Sequence, residues 1–179
     1  MKPRLATGLA AALLLAACAP PAPPVDTEEV PPPPAPALAE DEPAAALEPV
    51  ELPVGSGNQP LVLAAGASQD GQLQAPRAGR VGALGIHLGT YFDTSDGELD
   101  LRLCRAQDCA SGSADLALAE DNGMFRISLE PALEVAAGDT LAYSLAKRGG
   151  AVAVVVWTYP PAAAPDGPRV PRLELYYQR

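Results

Sequence analysis

Basic residues, histidine and aromatic rings are all scarce in this chain. Its 179 residues hold 12 Lys and Arg against 22 Asp and Glu, a formal charge of −10. No stretch supplies the basic stripe that neutralising a phosphate backbone needs, so no nucleic-acid partner is expected. An anionic lipid surface would repel the chain for the same reason. With only one histidine, His87, sites built on paired imidazoles and the His-Glu-x-x-His helix are ruled out. Neither a Gly-x-Ser-x-Gly elbow nor a phosphate loop occurs. The sequence therefore names no catalytic residue, no cofactor and no metal site. A hydrolase assembled in space around His87 is the one enzymatic alternative. Long apolar runs are missing too. Leu5 to Ala17 is thirteen residues without a charge, whereas a membrane span takes roughly 17–25.

That short run has a context. Lys2 and Arg4 precede it, and Leu15-Ala16-Ala17-Cys18 closes it. A positive head, a short apolar stretch and small residues at its end describe a secretory signal over residues 1–17. The closing four residues resemble the lipobox of bacterial lipoprotein signals. The resemblance implies that the Cys18 thiol receives a diacylglycerol, that the chain is cut between Ala17 and Cys18, and that the new amino group is acylated. Two or three acyl chains anchor firmly where one is marginal, at about 0.8 kcal/mol per buried CH₂. Ala19, in place of an aspartate, implies release to the outer membrane, facing the periplasm. The membrane is thus an expected partner through lipid alone.

Residues 18–53 read as a tether. Twelve prolines and eight acidic residues fall between Ala19 and Pro53, with no Lys or Arg. Proline fixes φ and removes donors, favouring extended polyproline II, and like charges stretch the chain further.

From residue 54 to 179 the texture changes to a period of two. Leu84, Ile86 and Leu88 alternate with small or polar residues; so do Leu99, Leu101 and Leu103, then Phe125, Ile127 and Leu129, then Leu141, Tyr143 and Leu145. "AVAVVVWTY" at 151–159 is apolar on both faces, as a central strand would be, and "RLELYY" at 172–177 returns to alternation. Turn signals separate the runs: "SDG" at 95–97, "DNG" at 121–123, "AGD" at 137–139 and "RGG" at 148–150. This pattern predicts an all-β antiparallel sandwich, jelly-roll-like, of eight or nine strands. Cys104 and Cys109 enclose four residues, and in an exported domain they most simply form a disulfide that pins a turn. Free thiols or a metal site are the rivals, but zinc asks for four ligands and His87 stands alone. "DTSDG" at 93–97 loosely matches the start of a calcium loop without its later glutamate.

Pairing 82–91 with 98–104 as a hairpin would place Tyr91 opposite Glu98, Gly89 opposite Asp100 and His87 opposite Arg102. The product would be a polar strip on the face away from the leucines, with glycines leaving room for a ligand. Planar rings for sugar faces and charged groups for hydroxyls suit carbohydrate. His87, Tyr91, Arg102 and Trp157 are therefore the candidate ligand-binding residues. An ordinary strand position for His87 and a core position for Trp157 are the plainer alternatives. "LGIHLGTYFDTSDGELDLRLC", "FRISLEPALEVAAGDTLAYSL" and "AVAVVVWTY" together resemble a β-sandwich accessory domain of bacterial cell-surface glycan proteins, over residues 62–159. The resemblance implies a sandwich associated with envelope polysaccharide or a glycan-handling partner. An assembly factor docking another envelope protein is the alternative from a different class.

If Cys18 is the anchor, Cys18→Ser should move the chain from the membrane fraction to the soluble one. Mass spectrometry of the mature wild-type chain should find Cys18 acylated at the amino terminus; an unmodified start would overturn the assignment.

Overall fold

The computed structural model describes residues 46–179; Cys18, the expected cleavage point between Ala17 and Cys18, and the stretch read as tether up to residue 45 lie outside the described residues. Eleven strands follow in order: β1 (Leu47–Glu51), β2 (Gln59–Leu63), β3 (Ser68–Gln74), β4 (Gly79–Gly89), β5 (Glu98–Arg105), β6 (Asp108–Asp115), β7 (Met124–Val135), β8 (Thr140–Arg148), β9 (Val154–Tyr159), β10 (Val170–Pro171) and β11 (Leu173–Gln178). A single 3-10 turn spans Leu116–Leu118. The expected count of eight or nine is exceeded because β10 has only two residues and because β1 lies within the stretch read as tether. Leu47 to Glu51 pairs antiparallel with β11 despite Pro49.

Eight strands build the sandwich. One sheet runs β1-β11-β4-β7 and the other β3-β8-β5-β6. The two join where Ser111 of β6 pairs with Glu130 of β7. On the opposite side they part, leaving β1 and β3 as edges. Strands successive in sequence mostly lie in different sheets; within the sandwich itself the hairpin of β5 and β6 is the exception. That alternation of sheets is jelly-roll topology. A small third sheet, β2-β9-β10, continues from the end of β4 through Leu88 and Gly89.

The period of two decides which side chains meet. Leu84, Ile86 and Leu88 of β4, Leu99 and Leu103 of β5, Ile127 of β7, Leu141 and Leu145 of β8 and Leu175 of β11 are all fully buried. At about 25 cal/mol per Å² of apolar area, this slab is the main favourable term in folding. Val154 and Val156 of β9 enter the same core while Val155 is buried on the other face, as a strand apolar on both sides requires. Gly82 sits where the register slips between Val81 and Ala83, so both Val81 and Leu84 point inward. The expected disulfide joins Cys104 to Cys109, directly opposed across the β5–β6 hairpin. It encloses a two-residue turn whose first residue, Ala106, has φ of 51°.

One end of the sandwich is closed by polar groups. Lys147 continues the inward row of Leu141, Tyr143 and Leu145 but is only 1% exposed. Its Nζ donates to the carbonyls of Asp96 (2.7 Å) and Gly149 (2.6 Å). The Asp96 carboxylate accepts the backbone N–H groups of Val152 (2.7 Å) and Ala151 (3.0 Å). Those bonds, from Ala151 first, hold the Asp96 carboxyl below its ordinary range. Ser95 Oγ donates to the Ala153 carbonyl at 2.7 Å. The loops 93–97 and 149–153 are thus tied to each other around one ammonium.

Lys147→Met keeps the length of the side chain but takes the donor from the Asp96 and Gly149 carbonyls that it ties together. A loss of about 2–4 kcal/mol is expected, read as a lower urea midpoint with an unchanged slope.

Candidate functional site

Pairing settles the fate of the sequence candidates. β4 does not pair with β5: its neighbours are β7, β11 and β9, while β5 lies between β6 and β8 in the other sheet. His87 faces Met124 and Arg102 faces Ser111 and Ser144. The proposed strip of His87, Tyr91 and Arg102 is therefore corrected. The parity of each strand was right, but the hairpin that would have joined them does not exist. Arg102 projects on the outer face of the second sheet, where its Nη2 lies 3.3 Å from Cys109 Sγ. Two shallow grooves of ≈ 480 and ≈ 450 Å³ meet at Arg102 and Ser144, with small side chains for walls.

His87 and Trp157 do come together. On the outward face of β4 the side chains are Gly85, His87 and Gly89, and rings from neighbouring strands lie over the glycines. A Cβ on Gly89 would stand 3.0 Å from Trp157 Nε1, and one on Gly85 would stand 3.0 Å from the Tyr176 ring. The His87 ring is stacked beside Tyr159 at 6.1 Å and tilted against Trp157 at 6.4 Å, centroid to centroid. Asn122 ties the group together. Its carbonyl lies 3.0 Å from His87 Nε2, and its Oδ1 accepts Trp157 Nε1–H at 3.0 Å. A carbonyl can only accept, so Nε2 carries a proton, and Nδ1 lies 2.8 Å from the Tyr159 hydroxyl. Both ring nitrogens are thus engaged, one by a carbonyl and one by a phenol. Trp157 is half-buried, with its polar edge bonded and part of its ring in solvent.

Tyr91 is not at the end of a strand. Tyr91, Phe92 and Asp93 have φ of 52°, 61° and 60°, a complete left-handed turn closed by Thr94 N–H donating to the Thr90 carbonyl at 2.9 Å. Left-handed residues other than glycine cost roughly 1–2 kcal/mol each. The turn is held from outside. Thr90 is fully buried, and its N–H donates to Asp121 Oδ1 at 2.6 Å. Asp121 N–H donates to Asp93 Oδ1 at 2.7 Å, and Asp93 N–H to Thr90 Oγ1 at 3.2 Å. The calcium-loop likeness of "DTSDG" dissolves in these bonds, since Asp93 and Asp96 each turn a carboxylate to backbone N–H groups. The outcome is two aromatic side chains presented at a fixed place, Tyr91 45% exposed and Phe92 89%. Asp121 and Asn122 are adjacent, so the strained turn and the His87–Trp157–Tyr159 group belong to one bonded network.

Phe92 and Asn122 escaped the sequence reading. Asn122 lies in "DNG", which in sequence signals only a turn. A Tyr-Phe pair inside a turn was the available signal for Phe92, because large rings without burial are uncommon there. A cleft of ≈ 690 Å³ lies elsewhere: it opens between β3 and the segment after β1, is lined by Leu52, Val54, Gln72, Thr140, Tyr143 and Leu173 among others, and includes no charged side chain. No known family model matches the chain, and no curated protein is similar enough to count as a relative.

If the turn is strained for presentation rather than for folding, Phe92→Gly should stabilise the protein by about 1 kcal/mol. The check is a raised melting temperature; an unchanged or lowered one would mean the turn carries no strain.

Proposed function

We propose that the protein is a lipid-anchored envelope lipoprotein, without catalysis, whose sandwich holds envelope polysaccharide on the platform of His87, Trp157 and Tyr159 and the neighbouring turn with Tyr91 and Phe92. The observation that carries this reading is the platform itself. Half-buried Trp157 lies over Gly89 with the His87 ring between it and Tyr159, and the His87 and Trp157 nitrogens are fixed by Asn122. Rings already ordered by packing lose little entropy on meeting a sugar face, and rigid placement is what a weak, repeated contact needs. The shape is a surface rather than a pocket, which fits an extended polymer better than an isolated small molecule.

Docking of another envelope protein is the second reading, and Phe92 favours it. An aromatic side chain that is 89% exposed on a rigid turn has the form of an anchor that fills a partner's pocket.

Glycan-array retention separates the two. Tyr91→Ala and Trp157→Phe should each weaken retention on envelope polysaccharide about tenfold or more, with Tyr91→Ala leaving the melting temperature near wild type. If no polysaccharide retains the wild-type protein, the glycan reading falls. Loss of an envelope partner from pull-downs on Phe92→Ala would then carry the docking reading.

A further inference from the structure

Sheet edges are the part of this fold that the ligand platform does not use. Among the described strands, β1 pairs only with β11, β2 only with β9, β10 only with β9 and β3 only with β8. An unpaired edge is a template for another strand, and proteins blunt it with proline, charge or brevity. Here β1 carries Pro49 with Glu48 and Glu51, β2 carries Pro60, and β10 is two residues long with Pro171. β3 has seven residues, "SQDGQLQ", with no proline, no basic residue and one carboxylate.

The outward backbone of β3 can be read from its inward bonds. Ala75 N–H donates to the Asp139 carbonyl, Gly138 N–H to the Ala75 carbonyl, and Lys147 N–H to the Ala67 carbonyl. Odd-numbered residues therefore turn their N–H and C=O groups to β8. Ser68, Asp70, Gln72 and Gln74 turn theirs to the edge. Only Gln69 Nε2, donating to the Asp70 carbonyl at 2.7 Å, touches that row.

We propose that β3 is the contact through which two copies of this chain pair, edge to edge and antiparallel, about a two-fold axis at Gly71. The register follows from the row itself. With the axis at Gly71, Ser68 meets Gln74 of the other copy and Asp70 meets Gln72, so all four outward residues exchange both backbone bonds. An axis at Asp70 would set two carboxylates face to face; an axis at Gln72 would leave Ser68 without a partner. The self-complementary register thus uses the full strand and opposes no like charges. The result is one eight-stranded sheet, β6-β5-β8-β3 continued by its mirror order, with an isologous interface.

Tyr143 gives an independent reason for the axis. It is 5% exposed, directly opposite Gly71, and its phenol lies over that glycine so closely that a Cβ there would stand 2.2 Å from the hydroxyl. The hydroxyl makes no hydrogen bond among the described residues and reaches the open cleft between β3 and the segment after β1, where solvent can serve it in the single copy. In the pair, two glycines meet at the axis with no side chain between them, and the second copy's Tyr143 hydroxyl arrives on the same face to serve as donor or acceptor.

Sedimentation equilibrium of the full chain in a non-ionic detergent, from micromolar to submillimolar concentration, tests this. The wild type should pass from monomer to dimer. Gln72→Pro removes an N–H that the monomer does not use; it should raise the dimer dissociation constant at least about tenfold, with circular dichroism unchanged. Because Gln72 faces Asp70 of the other copy, Gln72→Lys should tighten the pair and Gln72→Glu weaken it, each by about three- to tenfold. Gln74→Lys, which faces Ser68, should do neither. A wild type that stays monomeric overturns the proposal. So does a dimer indifferent to Gln72→Pro, or one that Lys and Glu at position 72 affect alike.

Discussion

Every strand of the sandwich gives one face to a single slab of leucine, isoleucine and valine, and the rest of the molecule is arranged around what that leaves over. β4 shows the consequence best. It lies between β7 and β11 and continues into β9, so its inward residues, Leu84, Ile86 and Leu88, cannot move without opening the core. Its outward residues must then fit beneath neighbours on both sides. Glycine at 85 and 89 does this by having no side chain, and the rings of Tyr176 and Trp157 settle into the space. The aromatic platform is thus a product of packing at the centre of a sheet. A larger residue at position 89 would lift Trp157 and break its bond to Asn122.

The same slab explains why strain can be kept in the 90–97 turn. The inward row of β8 ends in Lys147 rather than another leucine, and a buried ammonium needs acceptors. It finds them on Asp96 and Gly149, which commits the 93–97 loop to one position. Thr90 and Asp121 commit the other side of the turn. Between two fixed points, the three residues 91–93 have little choice but the left-handed conformation. Strain of this kind persists where the surroundings over-determine it, and such places are enriched at binding sites.

Much of this was legible in the sequence. The alternating runs from Leu84 to Leu145 identified the inward residues correctly, the turn signals fell between strands, and the spacing of Cys104 and Cys109 marked the hairpin they close. The failure lay in partner choice. A period of two says which face a residue lies on and nothing about which strand lies beside it. Pairing 82–91 with 98–104 assumed that neighbours in sequence are neighbours in space, but a jelly roll sends most connections across to the other sheet. His87 and Arg102 kept their outward parity and ended on different sheets. Lys147 and β1 were missed for related reasons. A lysine in an alternating run reads as the end of burial, and a proline beside glutamates reads as linker. Pro49 is tolerated because its missing N–H would have faced solvent: the even-numbered residues of β1, Ala46 and Leu52 beside them, carry the bonds to β11.

That detail bears on the edges as a group. Proline fits an edge strand only where the lost donor points outward, so each edge offers a fixed set of harmless positions. On β1 one of them is filled by Pro49. On β3 the equivalent positions are 68, 70, 72 and 74, and the chain, with 21 prolines in all, places none there. Polar side chains keep that edge wet, yet serine and glutamine neither repel a second strand nor remove its backbone partners. Gly71 at the middle adds the closest possible backbone approach, beneath a phenol whose burial pushes its ionisation up to about 12. A neutral hydroxyl in that place acts as both donor and acceptor over the whole physiological range, so it can satisfy an identical hydroxyl brought up by symmetry. Guarded edges on three strands and an open one on the fourth are what a fold would show if that fourth edge were kept for its own kind.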